Sequence, residues 1–124
     1  MRILYLEDEA IIALETADIL RDIGFVDVRV AYSLDGVTKA LGDDAPDVAL
    51  LDINLGHGRT SFDLGRSLVE KGVPVVYATG YSASSLPGDL DAMVIEKPLS
   101  SQVLERALRA ALGVDEPRQA AAGR

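Results

Sequence analysis

Acidic side chains follow two short apolar segments, at the point where each segment ends. Glu7 and Asp8 come directly after Ile3–Leu6, and Asp52 comes directly after Val48–Leu51. Such apolar runs are typical of buried strands in a parallel sheet, whose ligands bind at the carboxyl ends of the strands. If the two strands are neighbours, three carboxylates converge and repel one another, which favours a bound cation. We therefore predict an Mg²⁺ site, with one carboxylate as a candidate phosphoryl acceptor.

Two further polar residues stand at the ends of later apolar segments. Thr79 ends the fourth segment, and Lys97 follows the fifth, directly before Pro98. In a parallel sheet these positions lie at the same end as the three carboxylates. A hydroxyl and an ammonium group placed there could hold the oxygens of a phosphoryl group.

The elements that must position these side chains alternate along the chain. The apolar segments predict five strands, at Ile3–Leu6, Val28–Ala31, Val48–Leu51, Val75–Ala78 and Met93–Ile95. Amphipathic stretches predict four helices, at about Glu9–Ile23, Leu34–Leu41, Ser61–Lys71 and Leu99–Leu112. This alternation predicts an α/β fold with a parallel sheet between layers of helices. The segment Tyr81–Gly88 has three serines, a proline and a glycine, which predict a loop or a weak helix.

Length and charge narrow the class of protein. The 124 residues are enough for one domain, which we assign to residues 1–113, with a flexible tail at 114–124. The formal net charge of −8 argues against nucleic-acid binding, because phosphate contacts need lysine and arginine. The chain has no cysteine, no secretory leader pattern and no apolar run long enough to span a membrane. We therefore expect a cytoplasmic protein without membrane or nucleic-acid partners.

The order of these polar residues along the chain resembles the order found in the receiver domain of two-component response regulators. The resemblance runs from residue 1 to about residue 112 and is carried by Glu7-Asp8, Asp52, Thr79 and Lys97-Pro98. It implies a flavodoxin-like (βα)5 fold of three layers, with strand order 2-1-3-4-5. The fourth of its five helices would be weak or short and would fall at Tyr81–Gly88. The resemblance also implies a signalling switch that catalyses only its own phosphorylation and dephosphorylation.

The resemblance assigns a role to each of these residues. It implies that Asp52 accepts a phosphoryl group from a histidine kinase or a histidine phosphotransfer protein, and that Lys97 neutralises the phosphoryl oxygens. It implies that Thr79 hydrogen-bonds the phosphorylated side chain and that the Lys97–Pro98 peptide bond is cis. The implied Mg²⁺ ligands are Glu7, Asp8, Asp52 and the backbone carbonyl of Asn54.

The sequence departs from the usual receiver pattern near the fourth and fifth strands. Receivers usually carry Phe or Tyr three residues before the lysine, where this chain has Val94. The segment Tyr77–Tyr81 (YATGY) instead resembles the FATGUY signature of a subgroup of stand-alone receivers. We therefore expect Tyr81 to take part in switching, and an exposed tyrosine that only contacts a partner is the alternative.

Two other classes of protein remain open. A haloacid-dehalogenase-type phosphatase would also use an aspartyl phosphate and Mg²⁺, but such enzymes carry a second Asp where this chain has Asn54. A flavodoxin-like cofactor binder would need a phosphate-binding loop after the first strand, where Glu7-Asp8-Glu9 would repel a phosphate. The favoured interpretation is a receiver without an output domain, which regulates a downstream protein by binding.

Three residues have ambiguous roles. His57, the only histidine, lies between two glycines and is interpreted as an exposed loop residue rather than a catalytic base. Ile11 and Leu14 lie beside the main apolar stripe of the first helix. We interpret them as core residues of a wide apolar face, and a docking patch for a helical partner is the alternative.

Overall fold

The computed structural model describes residues 1–80 and 93–114. These residues form five strands, β1 (Arg2–Leu6), β2 (Asp27–Ala31), β3 (Val48–Asp52), β4 (Val75–Thr79) and β5 (Met93–Glu96). They also form four helices, α1 (Ala10–Ile23), α2 (Gly36–Leu41), α3 (Phe62–Glu70) and α4 (Ser101–Ala111). Each strand extends its predicted segment by one residue, and each helix lies within its predicted range. The predicted weak helix and the tail from residue 115 onward lie outside the described residues.

All five strands are parallel and belong to one sheet, in the order β2-β1-β3-β4-β5. Strands β1 and β3 are neighbours, with Leu6 opposite Leu51, and Asp52 at the end of β3 lies opposite Ala78 of β4. Because the strands run in the same direction, their carboxyl ends lie together at one end of the sheet. The predicted flavodoxin-like fold and its strand order are confirmed.

Two apolar cores cover the two faces of the sheet. Helices α1 and α4 pack over one set of alternate strand residues, including Ile3 and Leu50, and α2 and α3 pack over the other set, including Leu4 and Leu51. Strands β3 and β4 are buried along their whole length, which explains their uninterrupted apolar sequence. Burial on both faces fixes the strand ends that carry the polar residues. Among the described helices, none is long and apolar enough to cross a membrane.

Helix α1 buries small residues, which corrects one interpretation of the sequence. Ala13 and Ala17 are buried, whereas Ile11 and Leu14 are 74% and 64% exposed. Small side chains let the helix backbone approach the sheet closely, so the buried stripe is narrower than the distribution of apolar residues suggests. The interpretation of Ile11 and Leu14 as core residues is therefore wrong.

Candidate functional site

Three carboxylates meet at the carboxyl end of the sheet, as predicted. Glu7 and Asp8 follow β1 and Asp52 ends β3, and an oxygen of each carboxylate lies within 4.8 Å of the other two. Glu7 is fully buried and Asp52 is 5% exposed, whereas Asp8 is open to solvent. The cluster therefore has two carboxylates at a buried base and one at the surface, from which a ligand can approach.

Lys97 supplies the positive charge of the cluster. It follows β5, and its backbone N–H donates to the carbonyl oxygen of Thr79 at the end of β4, over 2.8 Å. Its Nζ atom lies 3.0 Å from Oε1 of Glu7 and 3.1 Å from Oδ1 of Asp52. The following peptide bond, Lys97–Pro98, is cis, as the resemblance implied. One ammonium group therefore binds both buried carboxylates.

Both oxygens of Glu7 accept hydrogen bonds from within the protein. Oε1 accepts from Lys97 and, at 3.5 Å, from the hydroxyl of Tyr5, while Oε2 accepts from the backbone N–H of Glu9 at 3.2 Å. The Tyr5 hydroxyl is also hydrogen-bonded to Thr16 of α1, and both side chains are buried. Burial raises the pKa of Tyr5 and the charge of Glu7 adds to this effect, so the phenol stays protonated and able to donate.

Sequence reasoning missed Tyr5 as a part of this site, and it missed the contact that Thr16 of α1, which lies outside the charged cluster, makes with Tyr5. A signal for Tyr5 was available, because it is the one hydroxyl-bearing residue in the strand segment Ile3–Leu6 and a buried hydroxyl needs a partner. Thr16 gave no comparable signal, since a threonine on a helix can satisfy its hydroxyl locally.

The charges around Asp52 favour its protonated form when no cation is bound. Burial and then the negative charge of Glu7 raise the pKa of Asp52 to about 7, although Lys97 acts in the opposite direction. Burial lowers the pKa of Lys97. The hydrogen bonds and charges of Glu7 and Asp52 raise it by more, so the pKa of Lys97 is raised overall. Lys97 therefore remains a cation, and the cluster as a whole keeps an excess of negative charge.

The donor set fits Mg²⁺. It consists of carboxylate oxygens, which hard divalent cations prefer, and the three oxygens lie close enough to share one ion. A single ammonium group cannot balance three carboxylates, and after burial the charge of Glu7 is the main cause of the raised pKa of Asp52. A dication at this position would remove the repulsion between the carboxylates.

The loop after β3 carries Asn54 and His57 and passes beside the cluster. Asn54 is exposed and pairs with Thr60 in an isolated antiparallel bridge. His57 is exposed, as predicted, and has a φ of 53° between two glycines that also have positive φ. A Cβ atom on Gly56 would lie 3.9 Å from Oδ2 of Asp8, so this loop borders the open side of the carboxylate cluster.

The remaining predicted residues lie on β4, on β5 or beyond the described part of the chain. Thr79 is buried and directly follows Ala78, the strand partner of Asp52. Val94 is partly buried against the core that faces α2 and α3. Tyr81 lies outside the described residues.

Solved structures match the chain over most of its length. SdrG from Sphingomonas melonis Fr1 is 33% identical, with 92% of this chain and 97% of SdrG covered and a TM-score of 0.75. A response regulator receiver protein from Sinorhizobium medicae WSM419 is 29% identical, with coverages of 91% and 94% and a TM-score of 0.78. The PhyR response regulator REC domain from Erythrobacter litoralis is 26% identical, with coverages of 90% and 89% and a TM-score of 0.76. No family model and no curated protein matches the sequence.

The sheet order and the polar residues at its carboxyl end define a flavodoxin-like α/β domain of the kind that these regulators share. The chain belongs to the family of response regulator receiver domains, as the resemblance of its motifs predicted.

Proposed function

We propose that the protein is a phosphorylation-dependent signalling switch in which Asp52 accepts the phosphoryl group. One observation carries the proposal: Asp52 lies within 4.8 Å of the Glu7 and Asp8 carboxylates and 3.1 Å from the ammonium group of Lys97. A carboxylate beside an ammonium group and a cation site is a suitable nucleophile for phosphorus. The similarity to solved response regulator receivers supports the same interpretation.

In the proposed reaction, an oxygen of Asp52 attacks the phosphorus of a phosphohistidine on a histidine kinase or a histidine phosphotransfer protein. The new P–O bond forms as the P–N bond breaks, and the imidazole of the donor keeps the electron pair of that bond. Lys97 stays protonated and binds the phosphoryl oxygens as their charge develops. Mg²⁺, when held by Glu7, Asp8, Asp52 and the backbone carbonyl of Asn54, supplies further positive charge to those oxygens.

We propose that Thr79 reads the phosphorylated state. It is buried at the end of the strand beside Asp52, where its hydroxyl can donate to a phosphoryl oxygen. We assign Tyr81 to the same switch, since Val94 occupies the position that is aromatic in most receivers. The two-state change then alters the binding of a downstream regulator protein in the cytoplasm.

The exposed apolar pair on α1 is proposed as the docking surface for the phosphodonor. Ile11 and Leu14 are largely exposed, and they follow Asp8 closely in the chain, so they lie near the open side of the site. Glu15 and Asp18 on the same helix are also exposed. This arrangement fits a helical phosphotransfer partner whose apolar surface is bordered by basic side chains.

Treatment with acetyl phosphate and Mg²⁺ tests the proposed reaction. We expect the intact mass to increase by one phosphoryl group in the wild-type protein but not in Asp52→Asn, and chelation of Mg²⁺ to prevent the increase. Circular dichroism of Asp52→Asn checks that this variant is folded. An unmodified wild-type protein, or a modified Asp52→Asn protein, contradicts the assignment. Rapid multiple turnover of phosphomonoesters would instead support a haloacid-dehalogenase-type phosphatase.

A further inference from the structure

Strand β1 places a phenol directly beneath the charged cluster. Tyr5 is 1% exposed, and the other residues of the segment Ile3–Leu6 are aliphatic. The Tyr5 hydroxyl lies between Thr16 of α1 and Oε1 of Glu7. It therefore connects the first helix to the carboxylate that holds Lys97.

Two donors share the same oxygen of Glu7. Lys97 lies 3.0 Å from Oε1, which is an ordinary distance for a charged donor, whereas the Tyr5 hydroxyl lies at 3.5 Å. A hydroxyl donor normally comes within about 3.0 Å of its acceptor, so Tyr5 is only loosely engaged. The other oxygen, Oε2, already accepts from the N–H of Glu9. Tyr5 is thus the neighbouring donor that could bind Oε1 more closely if Lys97 moved away.

The proposed reaction gives Lys97 a new partner. Its ammonium group binds Glu7 and Asp52 in this structure, and binding the phosphoryl oxygens on Asp52 instead would draw it away from Oε1 of Glu7. Glu7 is fully buried, so even with a cation held by its carboxylate and the Glu9 N–H on Oε2, the loss of the Lys97 donor to Oε1 is unfavourable unless another donor replaces it. A second donor already beside Oε1 reduces that cost.

We propose that Tyr5 is a positioning residue that takes the place of Lys97 on Glu7 when Lys97 engages the phosphoryl group. The inference rests on the proposed function, because it assumes that Asp52 is phosphorylated. In the resting state Lys97 is the dominant donor to Glu7, and in the phosphorylated state Tyr5 becomes the dominant donor. Tyr5 thereby makes Lys97 available without leaving Glu7 unpaired.

Two matched variants separate this role from a purely structural one. Tyr5→Phe removes the donor to Glu7, and Thr16→Val removes the hydroxyl on the other side of Tyr5 while leaving that donor in place. With acetyl phosphate and saturating Mg²⁺, we expect Tyr5→Phe to slow phosphorylation of Asp52 by about five- to tenfold. We expect Thr16→Val to remain within about twofold of the wild-type rate. Mg²⁺ affinity in Tyr5→Phe should be retained, because the carboxylates are unchanged.

Fluorine NMR of fluorotyrosine-labelled protein gives a readout that stability alone would not move. The Tyr5 resonance is identified by its absence from Tyr5→Phe, and it should shift when Mg²⁺ and beryllium fluoride, a mimic of the phosphoryl group, are added. The same addition should leave that resonance unchanged in Asp52→Asn.

The outcomes distinguish this inference from the proposed function. Absence of phosphorylation in the wild-type protein refutes the proposed function. A wild-type protein that is phosphorylated while Tyr5→Phe reacts at the same rate, or while both variants slow equally, refutes only the role of Tyr5. An unshifted Tyr5 resonance in the presence of the mimic also refutes that role.

Discussion

Two opposing effects act on the ionisation of the Asp52 carboxyl group. Lys97 lies 3.1 Å from its carboxylate and favours the ionised form, whereas burial and the charge of Glu7 favour the protonated form. The second pair of effects is larger, since the pKa of Asp52 rises to about 7. The site is therefore electrostatically strained without a metal, and folding stability should depend on the protonation of this one group.

In Mg²⁺-free buffer, we expect Asp52→Asn to stabilise the protein at about pH 8 and to have little effect at about pH 4. The pKa of Asp52 is raised from its ordinary 3.8 to about 7 in the folded state. Its favourable contribution to folding is therefore complete below the ordinary value and is lost as the pH rises through about 7. The difference between these two pKa values corresponds to at most ~4 kcal/mol, and we expect the variant to gain about 1–3 kcal/mol.

Urea unfolding of both proteins across this pH range, with a chelator present, provides the measurement. The comparison cancels the titration of carboxylates that are distant from Asp52. A stability difference that stays constant from acidic to alkaline pH would contradict the raised pKa of Asp52.

Residue types and spacing identified the charged members of the site but not their hydrogen-bond partners. Glu7, Asp8, Asp52 and Lys97 could be predicted because each follows an apolar strand in a parallel arrangement. Their mutual distances could not be predicted, because these depend on the register of strands that are distant in sequence. The contact between Tyr5 and Glu7 required both the strand direction and the side-chain rotamers.

Helix α3 packs closely against strand β4 at Gly65, where the glycine leaves room for the Tyr77 ring. A Cβ atom on Gly65 would overlap the Tyr77 hydroxyl and lie 2.6 Å from Cζ of its ring. Tyr77 is 1% exposed and packs edge-on against Phe62, with ring centroids 5.6 Å apart. Since Tyr77 precedes Thr79 on the same strand, this contact fixes the part of β4 that leads into the site.

We expect Gly65→Ala to destabilise the protein by about 2 kcal/mol, because overpacking against Tyr77 exceeds the gain in helix propensity of about 1 kcal/mol. In a Tyr77→Leu background the obstructing ring is absent. There we expect Gly65→Ala to be neutral or stabilising by up to about 1 kcal/mol. Urea unfolding of the four proteins of this double-mutant cycle measures the coupling. Equal effects of Gly65→Ala in the two backgrounds would show that the ring contact is unimportant.

Element boundaries followed from the sequence more reliably than the width of the buried face of α1. The strands were predicted to within one residue because burial on both faces produces continuous apolar runs. The main apolar stripe of α1 was predicted correctly, with Leu20 in the core, but the face is narrower than expected, because Ile11 and Leu14 are exposed. Only the packing against the sheet shows how far the covered face of such a helix extends.

In the described part of the chain, the two ends of the sheet carry differently balanced clusters of charged residues. At the amino end of the sheet, Arg2 lies 2.8 Å from Asp27 and 3.2 Å from Asp44, and its N–H donates to Asp47. Hydrogen bonds from Arg29 and then Arg2 lower the pKa of Asp27 to about 2. Asp27 and Asp44 are thus ion-paired with arginines at this end, whereas one lysine contacts two of three clustered carboxylates at the other. Among these two clusters, the excess of carboxylates lies where phosphoryl transfer is proposed.

Serine substitutions test the proposed docking surface on α1. We expect Ile11→Ser and Leu14→Ser to leave acetyl phosphate reactivity and thermal stability nearly unchanged, because both side chains are largely exposed. Transfer from phosphorylated histidine kinases of the same genome should slow by about tenfold if the pair contributes to the interface. Val26→Ser is the matched control, since Val26 is 86% exposed and precedes β2, at the amino end of the sheet. Unchanged transfer in both α1 variants would exclude this surface.

The presence of one lysine among three carboxylates also determines whether the site attracts or repels an approaching anion. With all three carboxylates ionised, the site has a formal charge of −2, equal and opposite to that of one magnesium ion. A phosphodonor, itself an anion, is thus repelled by the empty site but meets an electroneutral surface once the ion is bound. Cellular magnesium would then govern the frequency of productive encounters as well as the chemical step, and added salt should accelerate encounter only when magnesium is scarce.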